Sequence, residues 1–138
     1  MPPAKVLVVD DDPDIIAVLR IILESADYEV AEAFSPREAH ERLLADDPDL
    51  ILLDVMMPNE AEGLVFLHQL RDEYPSPFAE KPVIIVSSVY DVPRVRLGMR
   101  LPEQPERAAD ELPVQGFLRK PPEPSALLSM VAKILRPE

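Results

Sequence analysis

Short apolar runs alternate along the chain with segments in which apolar residues recur every three or four positions. A short apolar run between turn residues predicts a buried strand, and helical spacing predicts an amphipathic helix. These patterns place five strands at residues 5–9, 28–34, 49–53, 82–86 and 114–118. Residues 28–34 alternate between apolar and polar positions, which predicts a strand with a more exposed face.

Helices are predicted between the strands, and two of them have clear start signals. Asp12 and Pro13 match an N-cap followed by proline at the first helical position. Ser35 and Glu38 have the spacing of a capping box, which opens a helix to about residue 45. Two further helices are predicted from apolar spacing near residues 64–74 and 127–136.

The segment 89–113 has the weakest pattern. A helix is expected within residues 91–110, but Pro93, Pro102 and Pro105 exclude one regular helix through it. Strands and helices nevertheless alternate, which predicts an α/β fold with a doubly wound, five-stranded parallel sheet in the order 2-1-3-4-5. This flavodoxin-like (βα)5 prediction includes an irregular, extended connection between the fourth and fifth strands. With no internal repeat or linker, residues 1–138 are expected to form a single domain without an output domain.

Composition narrows the class of protein. The chain has 138 residues, no cysteine and a formal net charge of −12, with only 14 lysines and arginines. The charge disfavours direct nucleic-acid binding. No apolar run is long enough to span a bilayer and no signal peptide is visible, so no membrane association is predicted and the expected location is the cytoplasm.

Side chains that can handle a phosphoryl group follow the predicted strands where they end. They are Asp10 and Asp11 after the first strand, Asp54 after the third, Ser87 after the fourth and Lys120 after the fifth. In the predicted sheet all these ends lie along one edge. Clustered carboxylates attract a hard cation such as Mg²⁺. With an ammonium and a hydroxyl nearby, the site suits a phosphoryl group carried by Asp54 as the nucleophile.

The motifs VLVVDDDP, DLILLDVMMP, PVIIVSS and GFLRKPP, in this order, resemble the CheY-like receiver domains of response regulators in bacterial two-component signalling. The resemblance covers about residues 5–135. It implies that Asp54 is the phosphoacceptor and that Asp10 and Asp11 hold Mg²⁺, Asp11 directly and Asp10 largely through water. It also implies a sensor histidine kinase or a histidine phosphotransfer protein as donor, and a downstream protein as target. Such a chain is a switch rather than an enzyme, with at most self-catalysed phosphotransfer and slow autodephosphorylation.

The same resemblance assigns four further positions. The backbone carbonyl of Met56 is expected to bind the metal ion. Ser87 is the hydroxyl residue expected to hold a phosphoryl oxygen and to move with it. Lys120 is expected to pair with the phosphoryl group, and the bond between Lys120 and Pro121 is expected to be cis. Phe117 matches an aromatic switch position, although a plain core ring would look the same in sequence.

The chain also departs from the family pattern. The loop after Pro58 is longer than usual, with Glu62 where aspartate is typical, and Ser88 replaces a smaller residue. The segment between Ser87 and Lys120 is longer than usual, which puts output through the usual signalling surface in doubt.

Two alternative functions stay open. The altered segment 89–113 favours a receiver that has lost its switch and serves as a protein-interaction scaffold. The spacing of Asp10 and Asp12 is similar to that in haloacid-dehalogenase-like phosphatases, although the following Pro13 and Asp14 do not match.

Ordinary roles are expected for several polar residues. Asp12 is expected to act only as an N-cap. His40 and His68 lie on predicted helices among polar neighbours and are expected at the surface, without any phosphotransfer role.

Overall fold

The structure is a computed structural model, and it describes residues 3–54, 62–87 and 114–135, with only the backbone described for Ser87. Five parallel strands form one sheet in the order β2-β1-β3-β4-β5. The strands are β1 (Lys5–Val9), β2 (Glu29–Ala33), β3 (Leu50–Leu53), β4 (Val83–Ser87) and β5 (Gly116–Arg119). The predicted fold class and strand order are confirmed.

Helices cover both faces of the sheet. They are α1 (Pro13–Ser25), α2 (Pro36–Asp46), α3 (Glu62–Glu73) and α4 (Pro124–Leu135), with a short 3-10 helix at Phe78–Glu80. No helix in the described ranges is long and apolar enough to cross a membrane. The helix expected within residues 91–110 and the irregular connection around it lie outside the described residues, as does Ser88.

The alternation of side chains along each strand builds two separate cores. In β1, Leu7 and Val9 point to the layer formed by α2 and α3. Val6 and Val8 point to the opposite layer, formed by α1 and α4. Because helices bury both faces of the parallel sheet, its central strands are almost entirely apolar, which is why they appear as continuous runs in the sequence.

The predicted helix starts are confirmed, with one difference in the bond that Glu38 makes. Asp12 is the N-cap of α1, and its side chain accepts a hydrogen bond of 2.9 Å from the Asp14 amide. Ser35 caps α2 by accepting from the Glu38 amide at 3.2 Å. The Glu38 carboxylate accepts in return from the amide of Phe34, the residue before the cap, at 2.9 Å. These bonds satisfy backbone donors that have no partner within the helices.

Strand β5 begins two residues later than the predicted residue 114. The side chain of Gln115 supplies the reason. Its Oε1 accepts a hydrogen bond of 2.8 Å from the Val83 amide. The Gln115 amide donates to the Val83 carbonyl, also at 2.8 Å. A side-chain oxygen therefore takes the place of a strand carbonyl at the start of this ladder.

Candidate functional site: an acidic cluster at the carboxyl edge of the sheet

The sheet brings two of the acidic side chains together through its register. Val9 and Leu53 are partners in the adjacent strands β1 and β3, so the residues that follow them leave the sheet side by side. The Asp54 amide donates to the Val9 carbonyl at 2.9 Å, and the Asp10 amide donates to the Ala33 carbonyl at 3.1 Å. Asp10 and Asp54 are therefore held by the sheet itself, without a flexible loop between strand and carboxylate.

Carboxylate oxygens of Asp10, Asp11 and Asp54 lie within 4.8 Å of one another. Asp10 and Asp54 are 2% and 4% exposed, whereas Asp11 is exposed to solvent. Asp10 Oδ1 accepts a hydrogen bond of 2.9 Å from the Asp12 amide, which orients that carboxylate. The cluster thus has two buried members and one member open to solvent.

Lys120 supplies the positive charge of this cluster. Its Nζ lies 2.7 Å from Asp10 Oδ2 and 3.3 Å from Asp54 Oδ2. Burial lowers the pKa of this ammonium, but its hydrogen bond to Asp10 and the charges of Asp54 and Asp10 outweigh burial, and the pKa is raised. Lys120 follows directly after β5, and its bond to Pro121 is cis, the isomer that the resemblance implied.

Among the residues that the structure describes, Lys120 is the ammonium that lies beside these carboxylates. Burial and the charge of Asp10 raise the pKa of Asp11, despite a lowering contribution from Lys120. A cation bound among the three carboxylates would relieve this repulsion. The donors are hard oxygens with one side open to water, a set that fits Mg²⁺ because this ion keeps several of its waters. Asp10, Asp11 and Asp54 would hold it.

The remaining predicted site residues are only partly described. The backbone of Ser87 ends β4 and pairs with Arg119 in β5, which puts it beside Lys120 along the same edge. Phe117 is half-buried and packs against the core between the sheet and helices α2 and α3. Met56 lies outside the described residues. The roles of Ser87, Phe117 and Met56 therefore stay predictions.

His40 is the residue whose surroundings the sequence did not indicate. The expectation that it is an ordinary surface side chain is wrong, because it is half-buried between α2 and α3. Its Nδ1 lies 2.6 Å from Tyr74 Oη and its Nε2 lies 3.0 Å from Gln69 Oε1. No local pattern signals a contact between residues so far apart in the chain. His68 is half-buried as well.

Comparisons with known proteins agree with this geometry. The family model for the response regulator receiver domain matches residues 6–132. The chain is 30% identical over 132 residues to the phosphate regulon transcriptional regulatory protein PhoB of Pseudomonas aeruginosa. The aligned residues make up 95% of this chain and 51% of that protein. It spans about half the length of the curated relatives it matches, or less.

Solved structures show the same fold. A response regulator from Chloroflexus aurantiacus superposes with a TM-score of 0.75 at 28% identity, covering 96% of this chain and 98% of that one. The chemotaxis protein CheY4 of Vibrio cholerae gives a TM-score of 0.75 at 26% identity, with the same coverage. The parallel sheet with an acidic cluster at its carboxyl edge defines a signalling domain of the receiver class. This chain belongs to the response regulator receiver domain family.

Proposed function

We propose that this chain is a phosphoacceptor switch in which Asp54 receives a phosphoryl group in the presence of Mg²⁺. The observation that carries the proposal is the position of Lys120, with its ammonium between the two buried carboxylates at 2.7 Å and 3.3 Å. A half-buried lysine held between two buried carboxylates is poorly explained by stability alone. It is well explained by a site that must neutralise an incoming phosphoryl group.

The proposed reaction transfers the phosphoryl group from a phosphohistidine of a partner protein. An Asp54 carboxylate oxygen attacks phosphorus, and a new O–P bond forms while the N–P bond breaks. The histidine nitrogen keeps the electron pair of the broken bond, and Asp54 becomes an acyl phosphate. Mg²⁺, when bound, would add positive charge beside the phosphoryl oxygens. Lys120 would remain beside the new anion, while Asp10 and Asp11 would hold the cation.

The proposed response to phosphorylation involves the neighbouring strands β4 and β5. Ser87 would bind a phosphoryl oxygen, and Phe117 would change its position as the active population grows. Two features support this coupling. Ser87 pairs with Arg119, the residue before Lys120, and Phe117 is half-buried at the margin of the core.

The proposed partners are a sensor histidine kinase or a histidine phosphotransfer protein as donor, and a downstream protein as target. Support for the donor comes from family membership and from the acyl-phosphate chemistry that the acidic cluster suits. PhoB and the PhoP protein of Bacillus subtilis are named as transcriptional regulatory proteins, but this chain spans only 51% and 28% of their lengths. With a net charge of −12, we do not extend nucleic-acid binding to it.

Labelling with acetyl phosphate tests the proposal. Intact-mass spectrometry should show addition of one phosphoryl group in Mg²⁺ and none in EDTA. Asp54→Asn should abolish the addition. The matched control is Asp12→Asn, which makes the same chemical change nearby but keeps a good N-cap residue on α1, so labelling should persist. Labelling that survives Asp54→Asn, or that ignores Mg²⁺, would refute the proposal.

A further inference from the structure

A cleft between α2 and α3 lies away from the acidic cluster. It has a volume of about 450 Å³ and is lined by His40, Leu44, Gln69, Glu73, Tyr74 and Pro75. Helices α2 and α3 begin near the carboxyl edge of the sheet, so the residues at their C-terminal ends lie toward the amino edge. The cleft is therefore a separate feature of the molecule from the proposed phosphorylation site.

The walls of this cleft are held in place by His40. Both of its ring nitrogens bond to α3 and the residue that follows it, through Gln69 and Tyr74. The rings of His40 and Tyr74 are parallel within 2°, with centroids 5.6 Å apart. The ring of Phe66 meets His40 edge-on at 4.8 Å and ties it to the core. The cleft is thus formed in advance, which lowers the entropy that a ligand must lose on binding.

The cleft leaves apolar surface in contact with water. Leu44 is 61% exposed, and Pro75, which follows Tyr74 at the end of α3, is exposed as well. Removing such surface from water favours association, and a concave apolar surface beside an aromatic ring suits an aliphatic or aromatic side chain of a partner.

The charge of the cleft selects the kind of partner. Glu73 is the acidic residue among its lining, and within the described ranges no lysine or arginine forms an ion pair with it. The whole chain carries a formal net charge of −12. A field of this sign attracts basic segments and repels acidic ones, including a second copy of this chain.

We propose that the α2–α3 cleft is a docking site for a basic, amphipathic segment of a partner protein. An apolar side chain of that segment packs against Leu44 and Tyr74, and a lysine or arginine pairs with Glu73. This goes beyond the phosphoacceptor function. Because the contacts do not involve the acidic cluster, docking does not require phosphorylation, and Asp54→Asn leaves it intact.

The test is an NMR titration of the isotopically labelled chain with two synthetic helical peptides. One carries leucine on one face and lysine on the other, and its counterpart has glutamate in place of every lysine. The lysine peptide should shift the amides of Leu44, Gln69 and Tyr74. The glutamate peptide should not bind. Both results should be the same in Asp54→Asn, which separates this proposal from the proposed function.

Matched variants make the assignment specific. Glu73→Lys should lower the affinity for the lysine peptide about tenfold or more, as loss of an interface anchor does. Asp72→Lys makes the same charge change at the neighbouring exposed position, which does not line the cleft, and should have a much smaller effect. Leu44→Asp should weaken binding strongly, whereas Ile21→Asp, at a site on α1 that is 69% exposed, should not.

Several results would overturn the docking proposal. An equal loss of peptide affinity in Glu73→Lys and Asp72→Lys would show that binding depends on the net charge of the chain and not on Glu73 in the cleft. Amide shifts centred on α1 would move the binding surface elsewhere. Equal binding of the glutamate peptide, or self-association of the free chain through the cleft, would show that the occupant was wrongly assigned.

Discussion

Replacing Lys120 with methionine tests directly whether the ammonium stabilises the buried carboxylates of the acidic cluster. The substitution keeps an unbranched side chain, shorter by one atom, and removes the ammonium that lies 2.7 Å from Asp10 and 3.3 Å from Asp54. At an effective dielectric constant of 20, unit charges at these distances attract by about 6 and about 5 kcal/mol before desolvation is subtracted. Removing one partner of a buried pair costs about 3–5 kcal/mol. We expect about 3 kcal/mol, because the Lys120 side chain keeps 19% exposure and water can enter.

Urea unfolding in EDTA at neutral pH measures this loss. The matched control is Lys133→Met on α4, which makes the same change at an exposed position and should cost less than about 0.5 kcal/mol. In a double-mutant cycle, Asp54→Asn should reduce the loss caused by Lys120→Met, because one of the two stranded charges is then absent. A loss no larger than that of the control would show that the charge of Lys120 does not stabilise the folded cluster.

Magnesium and alkaline pH provide two further readouts of the same substitution. Saturating Mg²⁺ should reduce the loss in free energy of unfolding that Lys120→Met causes, because a cation held by the three carboxylates replaces the missing charge. The folded-state pKa of Lys120 lies above its ordinary value of 10.5. The contribution of Lys120 to the free energy of unfolding is therefore fully present below pH 10.5 and is lost as pH rises through the higher folded pKa. The difference in free energy of unfolding between wild type and Lys120→Met should become smaller in that range. A loss unchanged by Mg²⁺ would argue against cation binding at this cluster.

Three other predictions follow from single positions. The pKa of Asp11 is raised above its ordinary value of 3.8, so its contribution to the free energy of unfolding is favourable below pH 3.8 and is lost as pH rises. Asp11→Asn should therefore stabilise the metal-free fold at pH 7 by less than about 1 kcal/mol while weakening Mg²⁺ binding. Equal unfolding curves at pH 7 would contradict this. Gly116→Ala places a Cβ 2.5 Å from Met130 Sδ and should cost about 1 kcal/mol in urea unfolding, because the flexible methionine can partly yield. The apolar Met56 and Val89, two positions after the predicted phosphoacceptor and hydroxyl residues, cannot orient an attacking water, so loss of the phosphoryl group should be slow by intact-mass spectrometry; rapid Mg²⁺-dependent loss would count against it.

Much of the fold could be predicted because its signals are local. The apolar run of β3 and the capping residues Asp12 and Ser35 each act within a few neighbouring positions. Strand order followed from the doubly wound arrangement of right-handed parallel connections rather than from any residue pair. The start of β5 was missed because the Gln115 side chain replaces a strand carbonyl, a substitution that depends on the neighbouring strand.

The candidate site divides in the same way. Residue type and strand position are local properties, so the sequence could identify the strand ends that carry acidic, hydroxyl and basic groups. The position of Lys120 between Asp10 and Asp54, and the exposure of Asp11, depend on how the strands and their following loops pack together.

The contact between His40 and Tyr74 shows the physical reason for this division. Periodicity identifies the face of a helix that meets the core, but it does not specify which side chains of two helices touch. That choice depends on the relative placement of α2 and α3 and on the side-chain conformations that close packing permits. For this protein, the sequence determined the fold class and the chemistry at the sheet edge, and the packing of its helices determined the cleft.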